Sequence, residues 1–156
     1  MGAVLLFCAI CCATNLTSCA KKDIIVIMLK VSEFIEMPVI ERVRTEALGR
    51  GLDEHDNFSW HAALFQNETE VLGVCRFYRK GEDLFVDDPA LLTDDAFCRE
   101  MLFRTVLLKA SGVECRYVLA NGERAYLEKF GFCDHGGVFG AVPSEIRFPH
   151  DCCGHK

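Results

Sequence analysis

From Met28 onward, short strand-like segments alternate with helical segments, without a low-complexity linker or an internal repeat. Such alternation predicts an α/β protein with a mixed central sheet and helices on both faces, because each element must bury its apolar side against the next layer. A chain of 156 residues has room for one such domain and not for two. The expected element order is β-α-β-β-β-α-β-α-β.

Five segments have the apolar, β-branched or alternating composition of strands. They are Met28–Val31, Ser59–Phe65, Val71–Tyr78, Asp83–Val86 and Cys115–Ala120. The turn Gln66-Asn67-Glu68 predicts that the second and third strands form a hairpin. An acidic loop, Asp53-Glu54-His55-Asp56, precedes them, and the Gly-rich stretch Phe132–His150 predicts a final hairpin or meander.

Three helices are expected between these strands. Pro38 suits a first helical turn, and Gly49 ends that helix. Asp94 or Asp95 caps a long second helix that runs to about Ala110. Its apolar residues cover most of the circumference, which predicts a deeply packed helix; they include Phe97, Met101, Leu102, Val106 and Leu108. A short third helix covers Glu123–Phe130 and is followed by Gly131.

Composition limits the possible partners and compartments. The net charge is −6, and an acidic chain without a basic stripe is not expected to bind nucleic acid. Ten cysteines leave a disulfide framework open, but Cys75, Cys98 and Cys115 lie in apolar segments where reduced thiols pack as small hydrophobes. We therefore expect a reducing, cytoplasmic location.

Residues 1–27 form an extension whose role the sequence leaves open. Residues 3–14 are apolar but too short to span a bilayer. Translation that begins at Met28, a lipoprotein-type signal with Cys19 as the lipidated residue of Leu16-Thr17-Ser18-Cys19, and a folded structural role are all compatible with the residues. No membrane association is expected unless this segment is a true signal or anchor.

Three strings, in the order of the predicted elements, resemble the GNAT N-acetyltransferase superfamily. Ile40–Glu46 is similar to the helix after the family's first strand, Glu70–Arg76 to its central strand, and Ala125–Phe132 to its late helix, which usually ends Phe-Tyr-Glu-Lys-Leu-Gly-Phe. The resemblance covers residues 28–150, which we expect to form a GNAT-like domain followed by a Cys/His-containing tail at 151–156.

Membership implies transfer of an acyl group, usually from acetyl-CoA, to an amine on a small molecule or a peptide. The family binds the diphosphate with a Gln/Arg-x-x-Gly-x-Gly/Ala loop at a helix N-terminus. Here the corresponding stretch, Asp87–Phe97, has four aspartates and no glycine. The cofactor-binding residues implied by position are Phe85, Val86, Thr93, Asp94, Asp95, Ala96, Phe97 and Asn121.

The resemblance also implies the candidate catalytic residues. The family's late-helix tyrosine protonates the departing thiolate; here Leu127 occupies its position and Tyr126 precedes it, about 100° away around the helix. Glu82 and Asp87 are candidates for the base that takes the amine proton. A packed tyrosine and a solvated acidic edge are the structural alternatives, and Arg76 is either a substrate contact or a polar strand residue.

Two other functions stay open. One is a catalytically degenerate GNAT-fold binding or sensing module. The other adds a C-terminal metal clamp, because thiolates and imidazoles suit zinc; the candidate ligands are Cys133, His135, Cys152 and Cys153. A polar tail without a ligand is the simpler interpretation of those residues. A homodimer is compatible with each of these functions.

Overall fold

The computed structural model describes residues 28–33 and 35–149. Its strands are β1 (Leu29–Ser32), β2 (Trp60–Gln66), β3 (Glu70–Lys80), β4 (Asp83–Val86), β5 (Ala90–Leu91), β6 (Val118–Ala120), β7 (Cys133–Asp134) and β8 (Phe139–Gly140). Its helices are α1 (Met37–Leu48), α2 (Ala96–Ser111) and α3 (Arg124–Glu128), with 3₁₀ turns at Asp56–Phe58 and Pro143–Glu145.

The central sheet has the strand order β1-β2-β3-β4-β6. Its first four strands pair antiparallel, and the hairpin predicted at Gln66-Asn67-Glu68 joins β2 to β3. Strands β4 and β6 are parallel, which requires the crossover that α2 supplies. Strands β7 and β8 pair in a separate short hairpin, as the Gly-rich C-terminal stretch predicted.

Strand β5 was not predicted, and it extends the pairing along β3 beyond the end of β4. The stretch after Val86 looked like a loop, but Ala90 and Leu91 pair with Val74 and Gly73 of β3. The Asp87 N–H donates to the Arg76 carbonyl at 3.0 Å, so the chain stays beside β3 through the irregular residues 87–89. Strands β4 and β5 are therefore one line of chain with a bulge, and only its β4 part contacts β6.

The two faces of the sheet are both covered. On one face, Ile40 and Val43 of α1 pack on Ala63, Val74 and Ala90. On the other, α2 and α3 pack on residues that alternate with these along the strands, including Ala62, Leu64 and Cys75. The predicted mixed sheet with helices on both faces is confirmed.

Helix boundaries follow the predicted signals, but the packing of α2 differs from the prediction. Gly49 ends α1 with φ +68°, and the Asp95 side chain caps α2. The expectation that α2 is packed on nearly its whole circumference was wrong. Phe97 is 53% exposed and Leu108 55%, because only one side of α2 faces the sheet. Among the described residues, no helix is long and apolar enough to cross a membrane.

Candidate functional site

The parallel strands β4 and β6 part immediately after Val86 and Ala120. The last backbone link is from the Asn121 N–H to the Val86 carbonyl, at 3.4 Å. Beyond it, the segment after β4 continues along β3. The segment after β6 turns into α3 through Gly122, which has φ +148°. We call the opening between residues 87–90 and residues 121–123 the mouth.

Polar side chains bridge the mouth. The Asn121 Oδ1 accepts the Asp88 N–H at 2.6 Å, and the Asp88 Oδ1 accepts from Arg99 Nη2 at 2.6 Å. The Arg99 guanidinium lies over the Tyr126 ring, 4.5 Å from its centroid. On the inner side, Leu127 lies against Gly122. A ligand that enters here must therefore meet or displace the contacts of Asp88.

The N-terminus of α2 opens beside the mouth and contains most of the predicted cofactor-binding residues. The Asp95 Oδ1 accepts the Phe97 N–H at 2.8 Å, and the Thr93 Oγ accepts the Asp95 N–H at 3.3 Å. Asp94, Ala96 and Phe97 are exposed. A carboxylate thus holds one amide of the first turn, and Arg99, one turn further, is the cation available to an anionic ligand.

A group of charged side chains lies on the α1 face of the sheet, between α1 and the bulge. We call it the charged cluster; its members are Arg44, Asp53, Asp56, His61, Arg76 and Asp87. Arg44 extends from the core-facing side of α1, and His61 and Arg76 are direct cross-strand partners on β2 and β3. The acidic loop before β2 supplies two of the carboxylates.

Arg76 is the centre of the charged cluster. Its guanidinium contacts Asp53 at 2.7 and 2.8 Å, Asp56 at 2.7 Å and Asp87 at 2.6 Å. Arg44 reaches both oxygens of Asp56 at 2.7 Å. Because buried charges are costly unless they are paired, this mutual pairing is what permits two arginines inside the fold.

The pairing shifts the protonation equilibria of the cluster. The hydrogen bond from Arg76 holds the pKa of Asp53 well below its usual range. Burial alone would raise the pKa of Asp56, but hydrogen bonds from the Asp53 N–H and His61, with the two arginines nearby, lower it. Burial alone would lower the pKa of Arg76, but hydrogen bonds to Asp53 and Asp87 raise it. The carboxylates of Asp53 and Asp56 therefore stay ionised at neutral pH.

A small cleft lies between the charged cluster and the bulge. Its volume is about 20 Å³, so it holds one water or a small group of a larger ligand. Its lining includes His61, Arg76, Asp87, Asp88 and Ala90, with Ile40 of α1 opposite. Asp87 faces the cluster and Asp88 the mouth, so the bulge forms part of both.

The structure places the predicted catalytic residues in different environments. Asp87 lies in the cleft. Glu82 is exposed at the opposite end of β4, 3.7 Å from Arg116, and is not brought near Asp87 or Tyr126. The Tyr126 hydroxyl is buried and has no hydrogen-bond partner among the described residues; burial raises its pKa to about 12. Its ring packs on Phe103 and Phe130.

The two β4 residues predicted to bind cofactor lie on opposite faces. Phe85 is half-buried and packs its ring near Tyr78, on the α1 face. Val86 is fully buried in the core beneath α2, and its carbonyl marks the last backbone contact before the mouth. Only their main chain is therefore available to a ligand that enters between β4 and β6.

The candidate metal ligands are only partly within the described residues. Cys133 Sγ lies 3.4 Å from His135 Nε2 on the β7–β8 hairpin, and Tyr117 stacks on that imidazole. Cys152 and Cys153 lie outside the described residues. Within residues 28–33 and 35–149, no group of three or more His, Cys, Asp or Glu side chains is placed to hold a metal ion.

Sequence reasoning missed Arg44, Asp56 and His61 as members of one site. Two signals could have found them: an arginine on the apolar side of α1, and another in the middle of the apolar strand β3. Each needs carboxylate partners if it is buried. The acidic loop before β2 could supply those carboxylates.

Comparison with known proteins supports the fold. No family model and no curated protein matches the chain by sequence. A GNAT family acetyltransferase from Streptococcus pneumoniae has a similar structure, with a TM-score of 0.51 and 16% identity over 84% of this chain and 96% of that one. The GNAT family N-acetyltransferase YhbS from Escherichia coli, solved in complex with CoA, has a TM-score of 0.54 and 16% identity over 81% and 83%. Residues 28–149 thus have the GNAT fold, in a divergent sequence.

Proposed function

We propose that the protein is an acyl-CoA-dependent N-acyltransferase that transfers an acyl group, in the simplest case acetyl, to an amine on a small molecule or a peptide. The observation that carries the proposal is the mouth: parallel strands part beside the N-terminus of a long helix, in the fold of the GNAT proteins. Ligands of open sheets commonly bind where neighbouring strands diverge. The fold alone does not determine activity, so the site residues have to support it.

The residues at the mouth fit an acyl-CoA through Arg99 rather than through a glycine loop. Its guanidinium projects from the first turns of α2 and is 29% exposed. Guanidinium groups bind phosphate oxygens in a bidentate way, so Arg99 can exchange the Asp88 carboxylate for a diphosphate. The bound thioester supplies an activated acyl carbon, and the main chain of the bulge lies next to where it enters.

The acceptor amine fits the cleft on the other side of the bulge. Its lining carries both signs of charge: Asp87 and Asp88 offer carboxylate oxygens to an ammonium group, and the cations in the lining are Arg44, Arg50 and Arg76. Its small volume admits an amine head group and leaves the rest of the acceptor outside. The acyl-CoA and the acceptor amine would therefore bind on opposite sides of the bulge and react beside it.

Calorimetric titration of the purified chain with acetyl-CoA tests the first half of the proposal. We expect saturable binding at concentrations up to about 1 mM, and mass-detected N-acyl product when an amino acid, a polyamine and a peptide with a free N-terminus are offered. Asn121→Trp should weaken binding at least about tenfold, because the indole fills the mouth. The matched control is Asn57→Trp, since Asn57 is exposed on a 3₁₀ turn away from the mouth.

Binding that is equal in both tryptophan variants, or no binding by the wild type, contradicts the proposal.

The second candidate is a GNAT-fold module without catalysis. The bridging contacts of Asp88 favour it, because they occupy the mouth with a carboxylate and an amide. It predicts binding of acetyl-CoA or another ligand without product from any amine.

A further inference from the structure

His61 has the geometry of a proton acceptor that no motif in the sequence indicates. Its Nε2 lies 3.0 Å from the Asp56 Oδ1. The Asp56 side chain is 1% exposed and that of His61 is 9% exposed. His61 also lines the cleft, on the strand next to β3. A buried carboxylate thus holds one nitrogen of an imidazole that borders a cavity.

The Asp56 contact determines which nitrogen is basic. The ionised Asp56 can only accept, and it also accepts from Arg44 and from the Asp53 N–H. His61 Nε2 must therefore carry the hydrogen, which leaves Nδ1 as the lone-pair nitrogen. Among the described residues, Nδ1 has no hydrogen-bond partner. It is free to accept a proton from the cleft.

The charge of the cluster favours that role. The groups around His61 come from every element packed against it: Arg76 on β3, Arg44 on α1, Asp53 and Asp56 on the loop before β2, and Asp87 on the bulge. Arg50 also lines the cleft. The Asp56 carboxylate is in direct contact with the imidazole, so its negative charge lies against the ring that takes up the proton.

We propose that His61 is the general base of the acyltransferase, and that Asp56 is its positioning residue. The inference rests on the proposed function. His61 and the bulge lie two strands apart, about 10 Å between backbones, and the ammonium group of the acceptor occupies the cleft between them. His61 Nδ1 takes a proton from that ammonium group. The freed amine attacks the thioester carbon, the C–S bond breaks, and the second amine proton goes to the departing thiolate.

The test compares His61→Gln with His55→Gln. His55 is the matched control, because it lies six residues before His61, stacks on Tyr78 and does not line the cleft. With the amine acceptor that the wild type uses, we expect kcat to fall at least about 50-fold in H61Q, with KM for acetyl-CoA within about twofold and H55Q close to wild type. The acidic limb of the kcat profile should disappear in H61Q. Imidazole should restore activity to His61→Ala.

A second measurement does not depend on turnover. Nitrogen-detected NMR of the wild type should show the Nε2–H tautomer of His61 at neutral pH, and this measurement is independent of whether His61→Gln folds. Wild-type turnover with unchanged kcat and pH profile in H61Q overturns the inference and leaves the proposed function standing. The Nδ1–H tautomer overturns it as well. No turnover by the wild type overturns the proposed function and, with it, the role of His61.

Discussion

The Asn121 side chain accepts the backbone N–H of Asp88 at 2.6 Å, across the point where β4 and β6 part. Asp88 is held a second time by Arg99. One residue of the bulge therefore links the strand after which the sheet opens to the helix that faces the opening. The charge of Asp88 is the property of this link that is simplest to change.

Asp88→Asn should strengthen acetyl-CoA binding about threefold or more, because it removes a negative charge beside the expected diphosphate while its amide oxygen can still accept from Arg99. Calorimetric titration at low and high salt measures the change. Glu114→Gln changes the net charge equally in an exposed loop after α2 and should have no effect. Weaker binding in D88N would show that the carboxylate itself organises the site.

Arg76→Met should lower the free energy of unfolding by about 3–5 kcal/mol, because it removes a cation that contacts three carboxylates of the charged cluster. Denaturant unfolding followed by fluorescence measures it. The comparison is Arg116→Gln, which breaks a more exposed pair with Asp83 and should lower the free energy of unfolding far less. Similar losses in both variants would mean that the cluster adds no more stability than a surface pair.

Acid should destabilise the protein through the carboxylates of the cluster. The pKa values of Asp53 and Asp56 are lowered in the fold below the ordinary value of 3.8, so the unfolded chain binds more protons as the pH falls through that region. Their stabilisation is present above that value and is lost as the pH drops toward the folded-state pKa values. Urea unfolding between about pH 5 and pH 2.5 should show this decline. Asp53→Asn should have a shallower decline, and identical slopes would contradict the assignment.

Gly73→Ala should destabilise the fold by about 2 kcal/mol or more. A Cβ at Gly73 would lie 2.5 Å from Leu91 Cδ2 and 2.9 Å from the Ala90 carbonyl, so β5 could not stay against β3. The matched substitution is Gly112→Ala, whose nearest contact is an ordinary 3.5 Å; it should be neutral or slightly stabilising. Thermal unfolding measures the difference between the two variants. Equal melting temperatures would contradict the tight β3–β5 contact.

Tyr126→Phe should leave kcat within about twofold and should not lower the melting temperature. The hydroxyl it removes is buried without a partner among the described residues, and Leu127 rather than Tyr126 lies against Gly122 at the mouth. Steady-state kinetics with the best acceptor measure the effect. A fall in kcat of about tenfold or more would instead support the acid role that the late-helix resemblance implies.

Most elements could be predicted because their signals are local. Pro38 and Gly49 delimit α1, Asp95 caps α2, and the turn after Gln66 precedes a strand with continuous apolar residues. Strand β5 could not be predicted in this way. Its two residues follow Pro89 and two aspartates, which are typical of loops, and its pairing depends on the glycine at position 73 of a distant strand.

The charged cluster was missed for a related reason. Arg44 and Asp56 are 12 residues apart, and Arg76 and Asp53 are 23 apart, so no short motif contains both partners. The strings that resemble the GNAT family indicated the fold and the stretch Asp87–Phe97 at a helix N-terminus, because those features follow the order of the elements. The charged cluster depends on contacts between side chains from α1, the acidic loop, β2, β3 and the bulge, and those contacts exist only in the folded chain.

The bulge at residues 87–89 joins the two halves of the site mechanically. Arg76 holds Asp87 from one face of the sheet, and Arg99 holds Asp88 from the other. Because the two carboxylates are adjacent in the chain, a ligand that takes Arg99 away from Asp88 removes one of the two side-chain contacts that fix Asp88 and leaves the one from Asn121. A single peptide unit thus joins a group on one face of the sheet directly to a group on the other.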